Sequence, residues 1–484
     1  MQNSTEGDEQ MRWPGFRIGQ DILSYAKQIR HVVYSPTKHQ NVTVVLGNPS
    51  CDLDSFVCSF VLSYFYNGRP DAAKYHRSPI YVPVLNLPYT DAKDLWRQRP
   101  EFGVALRGAL DGLIPQSGPV DPASEDYKTQ YHQRDVALLE ELITIHELSS
   151  ADGILPSLRT AFQPSAGKHE PDTTSTQKDR QDLILVDHNA PAIETIRDAD
   201  VASRFDVVGV IDHHIEENYV SKSVSPRIVK LGIGSCASLV VDHLQSLNLW
   251  TPLPENKHEV GYQQISRLAL TPVLVDTWNL KAPGNRVSQL DRDCTMFLAA
   301  QTGDNLDRED LFQQVSTSKA EALNLLATPE IFSHDYKSYT ERTEGNEKPL
   351  NIGIASVVKS ISWLTTHAKG HDEFVTELTK YADNPEKPLT CFGMLTRNGD
   401  RKEVFTIGLS PTGGKAVSKF YTDAQEELQL KQWDEDDELR AKLRALVEER
   451  GGAFEIWWMA DTSKSRKQVA PYLRQSLKEC MKET

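Results

Sequence analysis

The stretch Val207-Val208-Gly209-Val210-Ile211-Asp212-His213-His214 joins a short apolar run directly to a carboxylate and two imidazoles. Three other apolar runs, at residues 42–46, 183–186 and 272–275, also lead into carboxylates. Short β-branched runs of this kind predict buried parallel strands, and the ligands of open α/β sheets bind just beyond the carboxyl ends of the strands. Four predicted strands that deliver Asp and His to one edge of a sheet therefore indicate a metal-dependent active site.

Each of these strand ends, taken alone, has an ordinary structural explanation. Asp54 could cap the helix that follows it, Asp187 could be a turn residue, and the two histidines could be solvated. Four ends with the same chemistry are improbable as coincidence, however. Imidazole suits Mn²⁺, Co²⁺ or Zn²⁺, and carboxylates suit Mg²⁺ and Mn²⁺. Enough ligands for two metal ions that share one carboxylate come from Asp52, Asp54, Asp187, His213 and Asp276. Asp212 is placed to orient a histidine ring by accepting its proton in a hydrogen bond.

The composition is typical of an intracellular globular protein. The chain has 484 residues, which is too long for one ordinary core and predicts two domains. Its net charge of −15 argues against broad nucleic-acid binding, and no apolar stretch is long enough to span a membrane. Six scattered cysteines without a Cys-x-x-Cys pair, together with a polar N-terminus, predict a cytoplasmic protein.

The pattern along the chain changes near residue 300. Strands and helices alternate as far as Asp276, whereas the later residues favour a second α+β domain, in which a long charged helix at about 422–449 precedes another strand. Two stretches rich in polar residues, Pro and Gly, at about 114–134 and 164–181, are predicted to be surface insertions.

Two further motifs are candidates for anion binding. The turn Gly232-Ile233-Gly234-Ser235 could hold a phosphate at the start of a helix, but a plain helix start with Ser235 as N-cap is favoured. In the second half of the chain, Lys337 and the pair Arg466-Lys467 are basic residues in positions suited to an anion.

Taken together, these motifs resemble those of the DHH phosphoesterase superfamily. Five segments carry the resemblance in the first domain: Gly47-Asn48 to Ser55, Asp187-His188-Asn189, Asp212-His213-His214, Gly234 to Ser238, and Asp276-Thr277-Trp278-Asn279-Leu280. The segments Asp335-Tyr336-Lys337 and Arg466-Lys467-Gln468-Val469 are similar to those of the DHHA2 domain. The resemblance implies an α/β fold, with a mainly parallel sheet flanked by helices in a DHH domain (1–315). A smaller α+β DHHA2 domain (316–484) would follow, with the active site in the cleft between the two.

One position separates the activities that this superfamily contains. Family II pyrophosphatases carry a His where this chain has Asn48, and exopolyphosphatases and prune-type phosphoesterases carry Asn. The basic motif around Arg466 also has one lysine fewer than the pyrophosphatase form. The resemblance therefore implies a fungal-type exopolyphosphatase, a monomer acting on inorganic polyphosphate. The alternatives are a short-chain phosphohydrolase acting on pyrophosphate or nucleotides and, less favoured, a non-catalytic regulatory protein.

The resemblance also implies a role for each site residue. Asp187 would bridge two divalent ions, Mg²⁺ or Mn²⁺ with Co²⁺ as a further candidate, and Asp52 would bind one of them. Asp54, His213 and Asp276 would bind the other ion. His214 would contact the terminal phosphate and act as general acid, and further substrate contacts would come from Asn48, Lys337, Arg466 and Lys467.

Overall fold

The computed structural model describes residues 15–34, 41–69, 79–112, 124, 131–165, 180–252, 259–303, 306–342, 350–385 and 388–482. The chain forms two compact units, Met1–Lys319 (unit 1) and Ala320–Thr484 (unit 2). The predicted domain boundary, between residues 315 and 316, lies close to this division. Most of the predicted insertions at 114–134 and 164–181 lies outside the described residues, so the insertions stay a prediction.

Unit 1 is built around a parallel sheet. Its described strands are β1 (Val42–Leu46), β2 (Ile80–Val84), β3 (Gln181–Val186), β4 (Phe205–Asp212) and β5 (Arg227–Val229). The spatial order is β2-β1-β3-β4-β5, and every neighbouring pair is parallel. Because the chain moves from β1 to β2 on one side and later to β3 on the other, the strand order reverses between β1 and β3. Ligands of open α/β sheets bind at such a reversal.

The helices of unit 1 enclose a core of buried apolar residues. They are Ile22–Val33, Leu53–Gly68, Leu95–Gln98, Pro100–Asp111, His132–Leu139, Ile145–Ser150, Pro156–Phe162, Asp198–Arg204, Cys236–Ser246, Val260–Asp276, Gln289–Ala299 and Arg308–Glu321, whose last two residues fall in unit 2. Helix Leu53–Gly68 is buried over nearly its whole length, which explains why its sequence is apolar on all sides.

The prediction of a strand at residues 272–275 is wrong, because these residues form the end of helix Val260–Asp276. A short apolar run does not distinguish a strand from a buried helix segment. Pro272 lacks the N–H that would bond the carbonyl of Leu268, but the hydroxyl of Thr271 donates to that oxygen at 2.7 Å. The hydroxyl therefore satisfies the carbonyl, and the helix continues through the proline to Asp276.

Unit 2 contains a mixed sheet of the order β10-β11-β9-β8-β7-β6. Its strands are β6 (Tyr336–Glu341), β7 (Leu350–Ser356), β8 (Cys391–Asn398), β9 (Arg401–Gly408), β10 (Leu430–Gln432) and β11 (Ala453–Met459). Its helices are Thr328–His334, Ile361–His367, His371–Ala382, Pro411–Ala424, Asp437–Arg450 and Arg466–Lys482. The parallel sheet of unit 1 and the mixed sheet of unit 2 confirm the predicted fold class.

The single charged helix predicted at about 422–449 is wrong as well. One helix ends at Ala424 and another begins after Asp436, with β10 between them. Gln429 has a left-handed φ of 50°, which interrupts any helix, and the indole of Trp433 donates to buried Glu403 at 3.0 Å. These tertiary contacts outweigh the helix propensity of the charged residues. None of the described helices combines the length and apolar composition that a membrane span needs.

Unit 1 also buries an ion pair, for which we expect a large effect on stability. Arg107 Nη1 donates to both carboxylate oxygens of Asp135, and the two side chains are 2% and 0% exposed. Asp135→Asn leaves the guanidinium buried without its counter-charge, so the free energy of unfolding should fall by about 3–5 kcal/mol in urea denaturation. Asp111→Asn, which breaks the exposed pair with Arg134, is the control and should cost less than about 1 kcal/mol. Equal losses in the two variants would contradict the buried pair.

Candidate metal centre

The loop after β1 is closed by the side chain of Asn48. Its Oδ1 accepts hydrogen bonds from the backbone N–H of Ser50 at 2.9 Å and of Cys51 at 3.2 Å. Cys51 has a left-handed φ of 44°, and buried Arg99 fixes it by donating from Nε to its carbonyl at 3.0 Å. The turn then delivers Asp52, whose carboxylate accepts from the N–H of Ser55 and caps helix Leu53–Gly68. Asp52 is therefore the helix cap, in place of Asp54.

Asp187 lies at the end of β3, beside this loop. It is 2% exposed and has a left-handed φ of 62°. Its Oδ2 accepts from Asn48 Nδ2 at 2.7 Å and from the Ser55 hydroxyl at 2.8 Å. Its Oδ1 lies 3.2 Å from Nε2 of His213. One carboxylate oxygen is thus anchored by the β1 loop and by the helix that follows it, and the other faces the histidines that follow β4.

The hydrogen bond of His213 fixes which ring nitrogen can act as a ligand. His213 Nδ1 lies 3.0 Å from the carbonyl oxygen of Ile233, which can only accept. Nδ1 must therefore carry the proton, and a neutral ring has its lone pair on Nε2, the atom that faces Asp187. An imidazole nitrogen and a carboxylate oxygen at this separation are suited to bind one metal ion.

Asp212 holds the second histidine. His214 Nδ1 donates to Asp212 Oδ1 at 2.8 Å, and the amide of Asn189 donates to Asp212 Oδ2 at 2.5 Å. Burial would raise the pKa of Asp212, but the bond and charge of His214 and the bond from Asn189 outweigh it and hold that pKa below its ordinary value. The carboxylate of Asp212 therefore stays ionised. An ionised carboxylate that accepts a hydrogen bond from a ring N–H is the arrangement that orients a histidine ring.

Asp54 bonds to a second helix, Cys236–Ser246. Its carboxylate accepts from the backbone N–H of Cys236 at 2.6 Å and of Ala237 at 2.9 Å, and from the hydroxyl of Ser235 at 2.9 Å. Ser235 occupies the N-cap position as predicted, but its hydroxyl donates to Asp54 and does not cap the helix. Asp291 accepts from the N–H of Gly234 at 2.9 Å. Because carboxylates occupy these donors, the Gly-rich turn is not a phosphate site.

Burial and, to a smaller extent, the negative charge of Asp52 together raise the pKa of Asp187 to about 7. Burial also raises the pKa of Asp54 and, together with the charges of Asp54 and Asp52, that of Asp276, the half-buried last residue of helix Val260–Asp276. The candidate carboxylates therefore form one electrostatic cluster in which like charges repel. A divalent cation would relieve this repulsion, so the donors present fit a metal site.

The structure brings three of the predicted residues to ligand distance of one another. Among the described residues, Asp187, His213 and His214 each offer one donor atom within 4.8 Å of the others. The sequence predicts His214 as a phosphate contact and proton donor. Its nearness to Asp187 and His213 adds the alternative of a third metal ligand, and its Nε2 can serve in only one of these two roles at a time. In the part of the chain that the structure describes, Asp52, Asp54 and Asp276 lie outside this triad, and electrostatic coupling links them to it.

Unit 2 contains the predicted basic residues. Lys337 lies in β6, Arg466 begins helix Arg466–Lys482, and Lys467 is exposed in its first turn. Arg466 Nη2 donates to Asp335 Oδ1 at 2.8 Å, which brings the two ends of the unit 2 sequence together.

Sequence reasoning missed several residues that hold the ligands in place. Ser55 and Asn189 lie inside the motifs quoted above, and this position in the sequence is the signal that could have identified them as supporting residues. Arg99 and Asp291 lie outside every motif; their role depends on tertiary contacts with Cys51 and Gly234, and no local pattern marks them.

Comparison with known proteins gives two domains and several distant relatives. The DHH family, N-terminal domain, matches residues 42–274, and the DHHA2 domain matches residues 313–476. A Schizosaccharomyces pombe protein, "Putative exopolyphosphatase", is 22% identical over 470 residues, which are 96% of this chain and 99% of the relative. "Exopolyphosphatase PRUNE1" of Rattus norvegicus is 24% identical over 297 residues, 61% of this chain and 49% of the relative.

Among solved structures, that of a Methanococcus jannaschii "putative family II inorganic pyrophosphatase" covers 90% of this chain and 98% of its own, at 16% identity and a TM-score of 0.47. The two domain matches together span most of the chain and confirm the predicted family. The chain belongs to the DHH phosphoesterase superfamily, among the members that carry a DHHA2 domain.

Proposed function

We propose that this protein is a metal-dependent exopolyphosphatase that releases orthophosphate processively from the ends of inorganic polyphosphate chains. The observation that carries the metal dependence is the environment of the buried Asp187 carboxylate. Its Oδ2 is held by hydrogen bonds, and its Oδ1 faces Nε2 of His213, the ring nitrogen with the lone pair. DHH phosphoesterases are metal dependent, and this donor set fits that chemistry. The choice of polyphosphate is supported by Asn48 and by the name of the Schizosaccharomyces pombe relative, which aligns over nearly the whole of both chains.

Two Mg²⁺ or Mn²⁺ ions, bound when present by Asp52, Asp54, Asp187, His213 and Asp276, would activate water and neutralise charge on the phosphoryl oxygens. The protein's own groups then have separate tasks. Asn48 keeps Asp187 in place. An ionised carboxylate can only accept hydrogen bonds, so the amide of Asn48 must turn its Nδ2 donor towards Asp187. The bond to Ile233 keeps the proton of His213 on Nδ1, so that Nε2 stays available as a ligand.

His214 is the proposed general acid. Its Nδ1 proton is held by ionised Asp212, which stabilises the positive charge of a protonated ring. A protonated His214 would give a proton from Nε2 to the leaving phosphate. In unit 2, Lys337, Arg466 and Lys467 are the proposed cations for the phosphoryl oxygens.

The same proposal places the protein in the cytoplasm as a monomer without nucleic-acid or membrane partners. A net charge of −15 argues against nucleic-acid binding, and six cysteines without a Cys-x-x-Cys pair are typical of an intracellular protein.

The function is tested by phosphate release from long-chain polyphosphate, tripolyphosphate and pyrophosphate in parallel, each with Mg²⁺, Mn²⁺ or EDTA. We expect metal-dependent release from the long chains, one phosphate at a time, with little from pyrophosphate. Activity on pyrophosphate alone would establish a short-chain phosphohydrolase. Absence of release from every condensed phosphate would favour a regulatory protein.

Asp187→Asn tests the metal role directly. Loss of one ligand charge should lower kcat by more than about 100-fold, because about 100-fold is the largest loss usual for residues that only support a metal ligand. Metal affinity in titration calorimetry should fall in parallel, while the circular dichroism spectrum remains unchanged. Asp206→Asn is the matched control: this carboxylate lies at the start of β4 and pairs with Arg180 at 3.0 Å. Retained turnover and metal affinity in Asp187→Asn would rule out the ligand role.

A further inference from the structure

The guanidinium of Arg466 in unit 2 is held along one edge. Nη1 donates to the backbone carbonyl of Asp335 at 2.7 Å, and Nη2 donates to the carboxylate Oδ1 of the same residue at 2.8 Å. Nη1 also donates to the carbonyl of Ile354 at 3.3 Å. The Arg466 side chain is 13% exposed, so these bonds form in a largely desolvated position.

These hydrogen bonds use only some of the N–H donors of the Arg466 side chain. Arginine has five N–H groups in a rigid plane, and three of those of Arg466 are used by Asp335 and Ile354. The other two, on Nε and Nη2, lie parallel along the second edge of the plane. Among the described residues of the chain, neither has a hydrogen-bond partner. Two parallel N–H donors are the geometry that binds two oxygens of a phosphoryl group.

The sheet register places a second cation nearby. In the antiparallel pair of β6 and β7, Lys337 lies opposite Ile354, whose carbonyl accepts from Arg466. The two basic residues therefore share one neighbour, although they are far apart in the sequence.

We infer that Asp335 is a positioning residue for phosphate binding: it holds one edge of Arg466 so that the other edge presents two N–H donors to the phosphoryl oxygens of a condensed phosphate. This inference rests on the proposed function, which makes Arg466 a phosphate-binding cation. It assigns to Asp335 an effect that acts through Arg466 alone.

Because Asp335 is negatively charged, the inference is tested by whether its removal strengthens or weakens substrate binding. A carboxylate next to Arg466 reduces the attraction of the site for an anion. If Asp335 only neutralised Arg466, its removal would strengthen substrate binding. If it orients Arg466, removal of its acceptor oxygen would weaken binding, and Asn, which retains that acceptor without the charge, would preserve it.

The experiment measures kcat and KM for polyphosphate with the full-length, metal-loaded protein. We expect Asp335→Ala to raise KM about five- to tenfold with kcat changed less than about twofold, the size expected for the net contribution of one ordinary hydrogen bond. Asp335→Asn should keep KM within about twofold of the wild type. Asp335→Ala should add nothing to Arg466→Ala in the double variant, because both remove the same contact.

Asp383→Ala is the matched control. Asp383 is 46% exposed and Asp335 43%, and Asp383 accepts from Arg450 Nη1 at 2.8 Å, so this variant breaks a similar ion pair of unit 2 away from Arg466. Its KM should equal that of the wild type. An unchanged or lower KM in Asp335→Ala, or additive effects with Arg466→Ala, overturns the inference while the proposed function stands. A wild type that releases no phosphate from any condensed phosphate fails both.

Discussion

Asp187 can remain buried only because three separate segments of the chain meet around its carboxylate. A buried carboxylate without partners is costly, and here the partners are Asn48 in the β1 loop, Ser55 in the first turn of helix Leu53–Gly68, and His213 after the end of β4. The left-handed backbone at Asp187 turns the side chain into this position. The order of the strands is what brings these segments together, since β3 lies between β1 and β4. The candidate site is therefore a property of the sheet as a whole.

The residues around this carboxylate divide into those that face a ligand and those that fix them. Asn48 is an instructive case, because it occupies the position at which pyrophosphatases are expected to carry a metal-binding His. Its amide is fully engaged in the protein, with Oδ1 closing its own turn and Nδ2 bonded to Asp187. In the proposed function, a supporting residue in place of a ligand at this position would account for a preference for a longer substrate.

The sequence predicts most of the sheet edge, and the exceptions have physical causes. The runs at 42–46, 183–186 and 207–211 form strands because buried parallel strands are continuously apolar. The run at 272–275 is equally apolar but continues a buried helix, which only the packing of the preceding residues determines. Asp276 nonetheless couples electrostatically to Asp54 and Asp52, although the segment that precedes it is a helix and not the predicted strand. The roles of Arg99 and Asp291 depend on contacts distant in sequence, which a linear pattern does not contain.

The bonds to Asp54 have a consequence for the thermodynamics of cation binding. Two backbone N–H groups and a hydroxyl already hold this carboxylate in one orientation in the absence of any ion. If Asp54 binds a cation as proposed, little side-chain entropy would then be lost, because the ordering that usually weakens binding has taken place during folding. The same donors partly neutralise the charge of the carboxylate, which would lower its attraction for a cation.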